Sequence, residues 1–191
     1  MGTIVVFENV SLDGVTQDPT GAEGFSRGDW RVGLTPTDRA AWDKLILDDA
    51  LGAHALLLGR RSYEFFAARY PSRTGQLADR MNSLPKYVAS TTLADPAWNN
   101  STVLNGDIVH EVVRLKHTVN GEIRVYASSQ LVQTLIEHGL VDELRLTIFP
   151  IVMGDGNRLF DRTGTPKHLH RVGTRAVGDS LAYLSYRTSS N

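Results

Sequence analysis

Two short stretches of this chain have the composition of a phosphate cradle. The first is Leu58-Gly59-Arg60-Arg61-Ser62. Its glycine lets backbone come close to a ligand, its arginines offer charged donor forks, and Ser62 sets a hydroxyl at a helix start. The second is Val125-Tyr126-Ala127-Ser128-Ser129-Gln130-Leu131, where an apolar run gives way to small, hydroxyl-bearing residues and then to a helical pattern. Both read as corners where a strand turns into a helix. The free N–H groups of a helix N-terminus attract anions, and in open α/β sheets ligands collect at the carboxyl ends of the strands. A turn with a solvated arginine accounts for the first corner as well, so the residues alone leave both readings open.

Acids come next, because a positioned carboxyl group can give or take a proton in a reaction. Asp13, in Ser11-Leu12-Asp13-Gly14, follows the first apolar run at a ligand-facing end. An aspartate in such a turn also bonds its own backbone two residues on, whatever the protein does. Asp38, Asp43 and Asp49 lie on the first helical stretch, and spacing selects none of them. Trp30 offers a planar face to a planar ligand, whereas Trp42 reads as core. His168 and His170 share one side of an expected strand without an identifiable third ligand, and His110, His117 and His138 have no companion carboxylate at ligand spacing. No metal site is expected. Ser128 and Ser129 lack the glycine elbow and base of a serine nucleophile.

The elements that must position these residues follow from hydrophobic period and punctuation. Ile4 to Val10 reads as a buried strand, and residues 14–35 as a long loop rich in Gly, Asp and Ser. Thr35-Pro36 opens a helix that Gly52 closes. Ala53–Leu58 is a strand buried on both faces, and Arg60–Arg69 returns as a helix. Residues 71–83 read as irregular. Strands are expected at Lys86–Ala89, Thr102–Leu104, Glu122–Tyr126 and Asp142–Val152, with helices at Ile108–His117 and Gln130–His138. Pro166–Val177 and Leu181–Arg187 pair across Gly178-Asp179-Ser180 as an antiparallel hairpin. Alternating strands and helices predict one α/β domain over residues 1–191 with a mixed, mostly parallel sheet.

Composition narrows the classes of function. The 191 residues carry a formal net charge of −1 and scattered basic residues, which gives no footprint for nucleic acid or an anionic membrane. There is no cysteine, so no disulfide framework, thiolate nucleophile or Cys-based metal site is available. The first residues lack the charged leader of a signal peptide, and Glu8 interrupts the apolar run early. A cytoplasmic protein is expected.

The order of the pieces is more specific than any one of them. Ser11-Leu12-Asp13-Gly14, Leu57-Leu58-Gly59-Arg60-Arg61-Ser62-Tyr63-Glu64, Leu84-Pro85-Lys86-Tyr87-Val88-Ala89-Ser90-Thr91, Leu131 to Leu144 and Phe149 to Phe160 follow one another along the chain. This set resembles the dihydrofolate reductase-like family, which includes the C-terminal reductase domain of bifunctional riboflavin-biosynthesis enzymes. The resemblance implies a three-layer fold, with helices on both faces of the sheet and a C-terminal hairpin. It implies NADPH as cofactor and a pterin or riboflavin-precursor pyrimidine as substrate. It gives Gly59, Arg60, Arg61 and Ser62 to the pyrophosphate and 2′-phosphate, and Ser90 and Thr91 to the adenosine half. Ala127, Ser128, Ser129, Gln130 and Leu131 match the corner under the pyrophosphate and nicotinamide, where the family usually has glycines. The loop from Asp13 to Trp30 matches the segment that closes over nicotinamide and substrate, and Asp43 lies on the helix that carries the substrate-binding acid. A homodimer is implied, with Leu144–Val152 and the hairpin as contact surfaces. The alternative is a non-catalytic nucleotide- or ligand-binding member whose cofactor corner has lost its glycines.

Overall fold

The computed structural model describes residues 1–160 and 165–189. Its strands are β1 (Thr3–Ser11), β2 (Ala55–Gly59), β3 (Lys86–Ala89), β4 (Ser101–Leu104), β5 (Glu122–Tyr126), β6 (Glu143–Phe149), β7 (Leu169–Val177) and β8 (Leu181–Thr188). Its helices are α1 (Pro36–Gly52), α2 (Arg60–Ala67), α3 (Gln76–Ser83), α4 (Ile108–Thr118) and α5 (Ser129–Glu137). The strands form one sheet in the order β4-β3-β2-β5-β1-β6-β8-β7. The pairs from β4 to β6 are parallel, while β8 runs antiparallel to both β6 and β7. This is the mixed, mostly parallel sheet and terminal hairpin that the sequence predicts.

Burial explains why the central strands read as unbroken apolar runs. β1 and β2 have helices over both faces, so each side chain along them meets protein on one side or the other. Phe7, Leu56 and Leu58 pack with Leu45 of α1, Tyr63 of α2 and Met81 of α3. Ile4, Val6, Leu57 and Val125 pack on the other face with Leu115 of α4 and Val132 and Leu135 of α5. Each fully buried Leu or Ile among these contributes roughly 1.5–3 kcal/mol over an exposed one. α1 starts where Thr35 accepts a hydrogen bond from the Asp38 N–H, with Pro36 at its first position.

Two expectations need correction. Residues 76–83 are helical rather than irregular. α3 buries only Ala78 and Met81, too few for a periodic signature. Tertiary bonds hold it: Arg80 donates to the carbonyls of Ala50 and Ala53 at the end of α1, and Asn82 bridges Tyr70 O and the Trp98 indole. The long loop expected after β1 is present and is folded around one residue. The buried Asp18 carboxylate accepts the N–H groups of Glu23 and Phe25, and its carbonyl accepts those of Gly21 and Asp29. The second correction concerns Leu144–Val152 as a dimer surface. β6 lies inside the sheet between β1 and β8, with Leu144, Leu146 and Phe149 buried, so its strand edges are already used.

Asp38 fastens the hairpin to α1. Its carboxylate accepts the N–H groups of Asp179 and Ser180 and the Ser180 hydroxyl, at 2.6–3.0 Å. Gly178 has φ 63°, and a Cβ there would run into that carboxylate. Turn and helix therefore fit only with glycine at 178 and hydrogen-bond acceptors at 38.

Candidate active site

β2 and β5 are neighbours and both end in helices, so the two corners come together at one end of the sheet. A single hydrogen bond joins them: the Gly59 N–H donates to Ser128 Oγ at 3.0 Å, and that hydroxyl donates to Tyr126 O. A Cβ on Gly59 would meet Ser128 and Leu131 only at 3.7–3.9 Å, so glycine there leaves open the space in front of the corner. Ala127 and Ser128 both adopt left-handed backbone, with φ 51° and 62°. These are the positions at which glycine would be unstrained; Ser129 is already helical.

Neither α2 nor α5 has a side-chain N-cap. α4, which leaves the edge strand β4, is capped by Asp107, whose carboxylate accepts from Val109 and His110 N–H. The first N–H groups of a helix have no partner inside it. At the two central corners they are free for a ligand, and the helix dipoles favour a negative one. Arg60 and Arg61 are exposed at the start of α2; Arg60 comes no closer than 3.6 Å to Glu64, itself half exposed. Ser62 and Ser129 are half-buried, and Gln130 is exposed at the same helix starts, while Leu131 packs inward.

Farther along the same end, Ser90 closes the turn after β3 by accepting the N–H groups of Thr92 and Leu93. Next to it Thr91, Thr92, Leu93, Ala94, Asn105 and Gly106 line an open depression of about 420 Å³.

The expected acids and aromatic fare differently. Asp13 ties the exit of β1 to the exit of β6. Its carboxylate accepts from the N–H groups of Met153 and Gly154 and from the Ser11 hydroxyl, with Arg158 at 3.6 Å. Those donors hold it well below the usual carboxylate range, so it has no proton to give at neutral pH. Asp43 is exposed on α1, where its charge acts on Arg31. Trp30 is buried edge-on against Phe149 at 5.1 Å, and its indole N–H donates to Gln17 O, so it offers no free face. Trp42, half-buried, reaches the same end of the sheet and donates to Asn9 Oδ1 at 2.9 Å.

The acid that the residue pattern hides is Glu8. It sits in β1 only 5% exposed. Burial pushes its carboxyl up to about 8, an effect to which the Glu23 charge adds and which the Asn9 N–H opposes. An acid inside a β-branched run was itself the available signal, because glutamate is almost never fully buried without a partner.

The amino ends of the strands carry the opposite arrangement. There Asp49 of α1 meets Arg124 at 2.8 Å, Arg145 at 2.9 Å and the Tyr126 hydroxyl at 2.8 Å. Glu122 bridges the same two arginines, and Glu143 takes Arg145 at 2.6 Å and the Ser185 hydroxyl at 3.0 Å. Burial and the Asp49 carboxylate push the Tyr126 phenol well above its ordinary value.

Comparison with known proteins agrees with this architecture. The family model described as RibD C-terminal domain matches residues 2–183. The protein YyaP of Bacillus subtilis (strain 168) is 32% identical over 136 residues, covering 69% of this chain and 72% of that one. Among solved structures, a candidate riboflavin biosynthesis protein from Shewanella sp. PV-4 superposes with TM-score 0.72 at 20% identity over 98% of this chain and 99% of that one. Dihydrofolate reductase from Enterococcus faecalis, complexed with NADP(H) and RAB-propyl, does so with TM-score 0.64 at 17% identity over 98% and 97%. The two structures share the fold, and the family match runs through both uncapped corners and on to Tyr183 of the terminal hairpin; the chain belongs to the RibD C-terminal domain family.

Proposed function

We propose that this protein is an NADPH-dependent reductase of a small nitrogen heterocycle, of the pterin or riboflavin-precursor pyrimidine type. The observation that carries the reading is the meeting of two uncapped helix N-termini at the Gly59–Ser128 hydrogen bond, beside the exposed Arg61 and the exposed Arg60, which makes only a 3.6 Å ion pair with Glu64. A dinucleotide fits that donor set. The amides of α2 and α5 suit its pyrophosphate, and the arginines suit the 2′-phosphate that distinguishes NADPH from NADH. Ser62, Ser129 and Gln130 add side-chain donors at the same place. The depression beyond Ser90 and Thr91 has room for the adenosine half.

Bound NADPH would supply a hydride to the ring. The chain's own part is to hold and orient. The loop from Asp13 to Trp30 supports the substrate side: Asp18 folds it, Asp13 locks its base to the exit of β6, and Trp30 packs its end into the core. Asp13 acts there as a brace for backbone. The names of two superposed proteins, a reductase with NADP(H) and a riboflavin-biosynthesis protein, agree with this chemistry. A cytoplasmic homodimer belongs to the same reading, with the β7–β8 hairpin as its contact surface. One observation favours a binder without turnover: Ala127 and Ser128 put side chains where the backbone favours glycine. Such a protein would bind NADPH and leave it unconsumed with every pterin and aminopyrimidine offered.

Calorimetric titration with NADPH and NADH tests the cofactor assignment. NADPH is expected to bind more tightly, and Arg60→Ala is expected to erase most of the preference. A charge-assisted contact of this kind is worth about 1.5–3 kcal/mol, roughly tenfold to a hundredfold in affinity. Binding of neither nucleotide at millimolar concentration would overturn the reading.

A further inference from the structure

β1 and β5 pair as far as Phe7 opposite Tyr126 and then part, while β1 continues beside β6 to Ser11 opposite Phe149. Backbone groups alternate sides along a strand. The Thr3 N–H donates toward β5, to Gly121 O, so the Asn9 N–H points the same way, into the space that β5 has left. Glu8 fills that space. Its Oε1 accepts from the Asn9 N–H at 3.2 Å, and its Oε2 is buried with no partner.

Glu8 lies opposite Leu146 of β6. On the β5 side the next position is Ala127, directly before the uncapped start of α5. The charge that reaches it is Glu23 of the loop after β1; Glu23 in turn feels Asp18 and Arg61. Among the described residues, no cation sets its proton affinity. Burial without a counter-charge keeps the proton on at neutral pH, with the group pushed up to about 8. A neutral carboxyl carries one donor and one acceptor side by side. Here the acceptor is used by Asn9 and the donor is idle. Asp13, Asp18 and Asp38, other acids packed near this end, each accept hydrogen bonds from protein N–H groups.

We propose that Glu8 acts as a neutral carboxylic acid in the gap between β1 and β5, where its Oε2–H donates to the carbonyl of a primary amide or lactam on an uncharged planar ring. The proposal rests on the cofactor reading above, since the nicotinamide end of NADPH carries such an amide. It makes Glu8 a specificity-determining residue. Ionised, it has no hydrogen to give.

The test titrates NADPH and 2′,5′-ADP, which lacks the amide-bearing ring, against the wild-type protein, Glu8→Gln and Glu8→Leu between roughly pH 6 and pH 9.5. Wild-type affinity for NADPH should fall toward tenfold per pH unit above about 8, as one proton is linked to binding. The affinity for 2′,5′-ADP should change far less. Glu8→Gln, which keeps a donor and an acceptor, should retain NADPH binding and lose the pH dependence. Glu8→Leu should weaken NADPH at every pH and leave 2′,5′-ADP unchanged, which also reports that the corner is folded. If 2′,5′-ADP binds but the NADPH profiles of wild type and Glu8→Gln run parallel, Glu8 has no such role and the cofactor reading survives. If neither nucleotide binds, the cofactor reading fails and this proposal fails with it.

Discussion

Asp49 and Glu8 are both acids buried against the same sheet, at opposite ends of the strands. Asp49 receives two guanidinium groups and a phenol within 2.9 Å. Glu8 receives one backbone N–H, and its second oxygen has none. At the amino ends, charge is paired off inside the protein; among the described residues the exceptions there are Nη1 of the buried Arg124 guanidinium and the Ser101 hydroxyl at the start of β4. At the carboxyl ends two helix starts and one carboxyl oxygen are left over. Buried polar groups are normally satisfied, so a cluster of exceptions calls for an explanation. On the cofactor reading proposed above, the paired end serves stability and the unpaired end serves a ligand.

Breaking the paired end should have the largest effect. Arg124→Met leaves Asp49 and Glu122 short of a partner in a buried site. Removing one member of such a pair costs about 3–5 kcal/mol, to be read from urea unfolding. Combining it with Asp49→Asn should recover part of that loss, because the charge left behind is gone.

The unpaired end should show itself through pH. Glu8 has a folded value near 8 against 4.5 in the unfolded chain, so the folded state holds more protons between these values. Stability should therefore fall as pH rises from about 4.5 to 8, by up to about 1.4 kcal/mol per unit. Glu8→Gln should flatten that slope. A slope unchanged in the variant would show that Glu8 is not the group responsible.

Asp38 gives the reverse sign. Its carboxyl is drawn down from 3.8 to about 2, first by the Ser180 hydroxyl. Its contribution is present above the unfolded value and lost as pH falls through the folded one. Asp38→Asn should loosen the β7–β8 turn, seen as faster amide exchange at Asp179 and Ser180, with little change at the two ligand corners. The smallest effect is expected at Ala127→Gly. Relieving a left-handed alanine should raise stability by about 1 kcal/mol, measured by thermal unfolding.

Much of this architecture was legible in the residues. The β-branched run at Ile4–Val10, the cap at Thr35, the end of α1 at Gly52 and the glycine corner at 59 each carry a local physical signature, and the elements formed close to where those signatures put them. The residues that failed to announce themselves act through distant partners. α3 depends on Arg80 reaching the end of α1 and on Asn82 reaching Trp98, neither of which leaves a periodic trace. Trp30 offers a ring to any reader of the chain, yet Phe149 and Gln17 O take it up. Asp13 and Asp38 have the residue type of a catalytic acid, and only their donors reveal a bracing role. Glu8 reads as a break in an apolar run until the parting of β1 from β5 is seen.

The division between the two ends is open to one direct measurement: amide hydrogen exchange with and without saturating NADPH. Protection is expected to rise at Gly59–Ser62 and Ser128–Leu131, where helix N–H groups gain a partner. It should stay unchanged at the Asp107-capped start of α4 and around Asp49, Arg124 and Arg145. Protection that rises at the amino ends instead, or nowhere, would contradict the account.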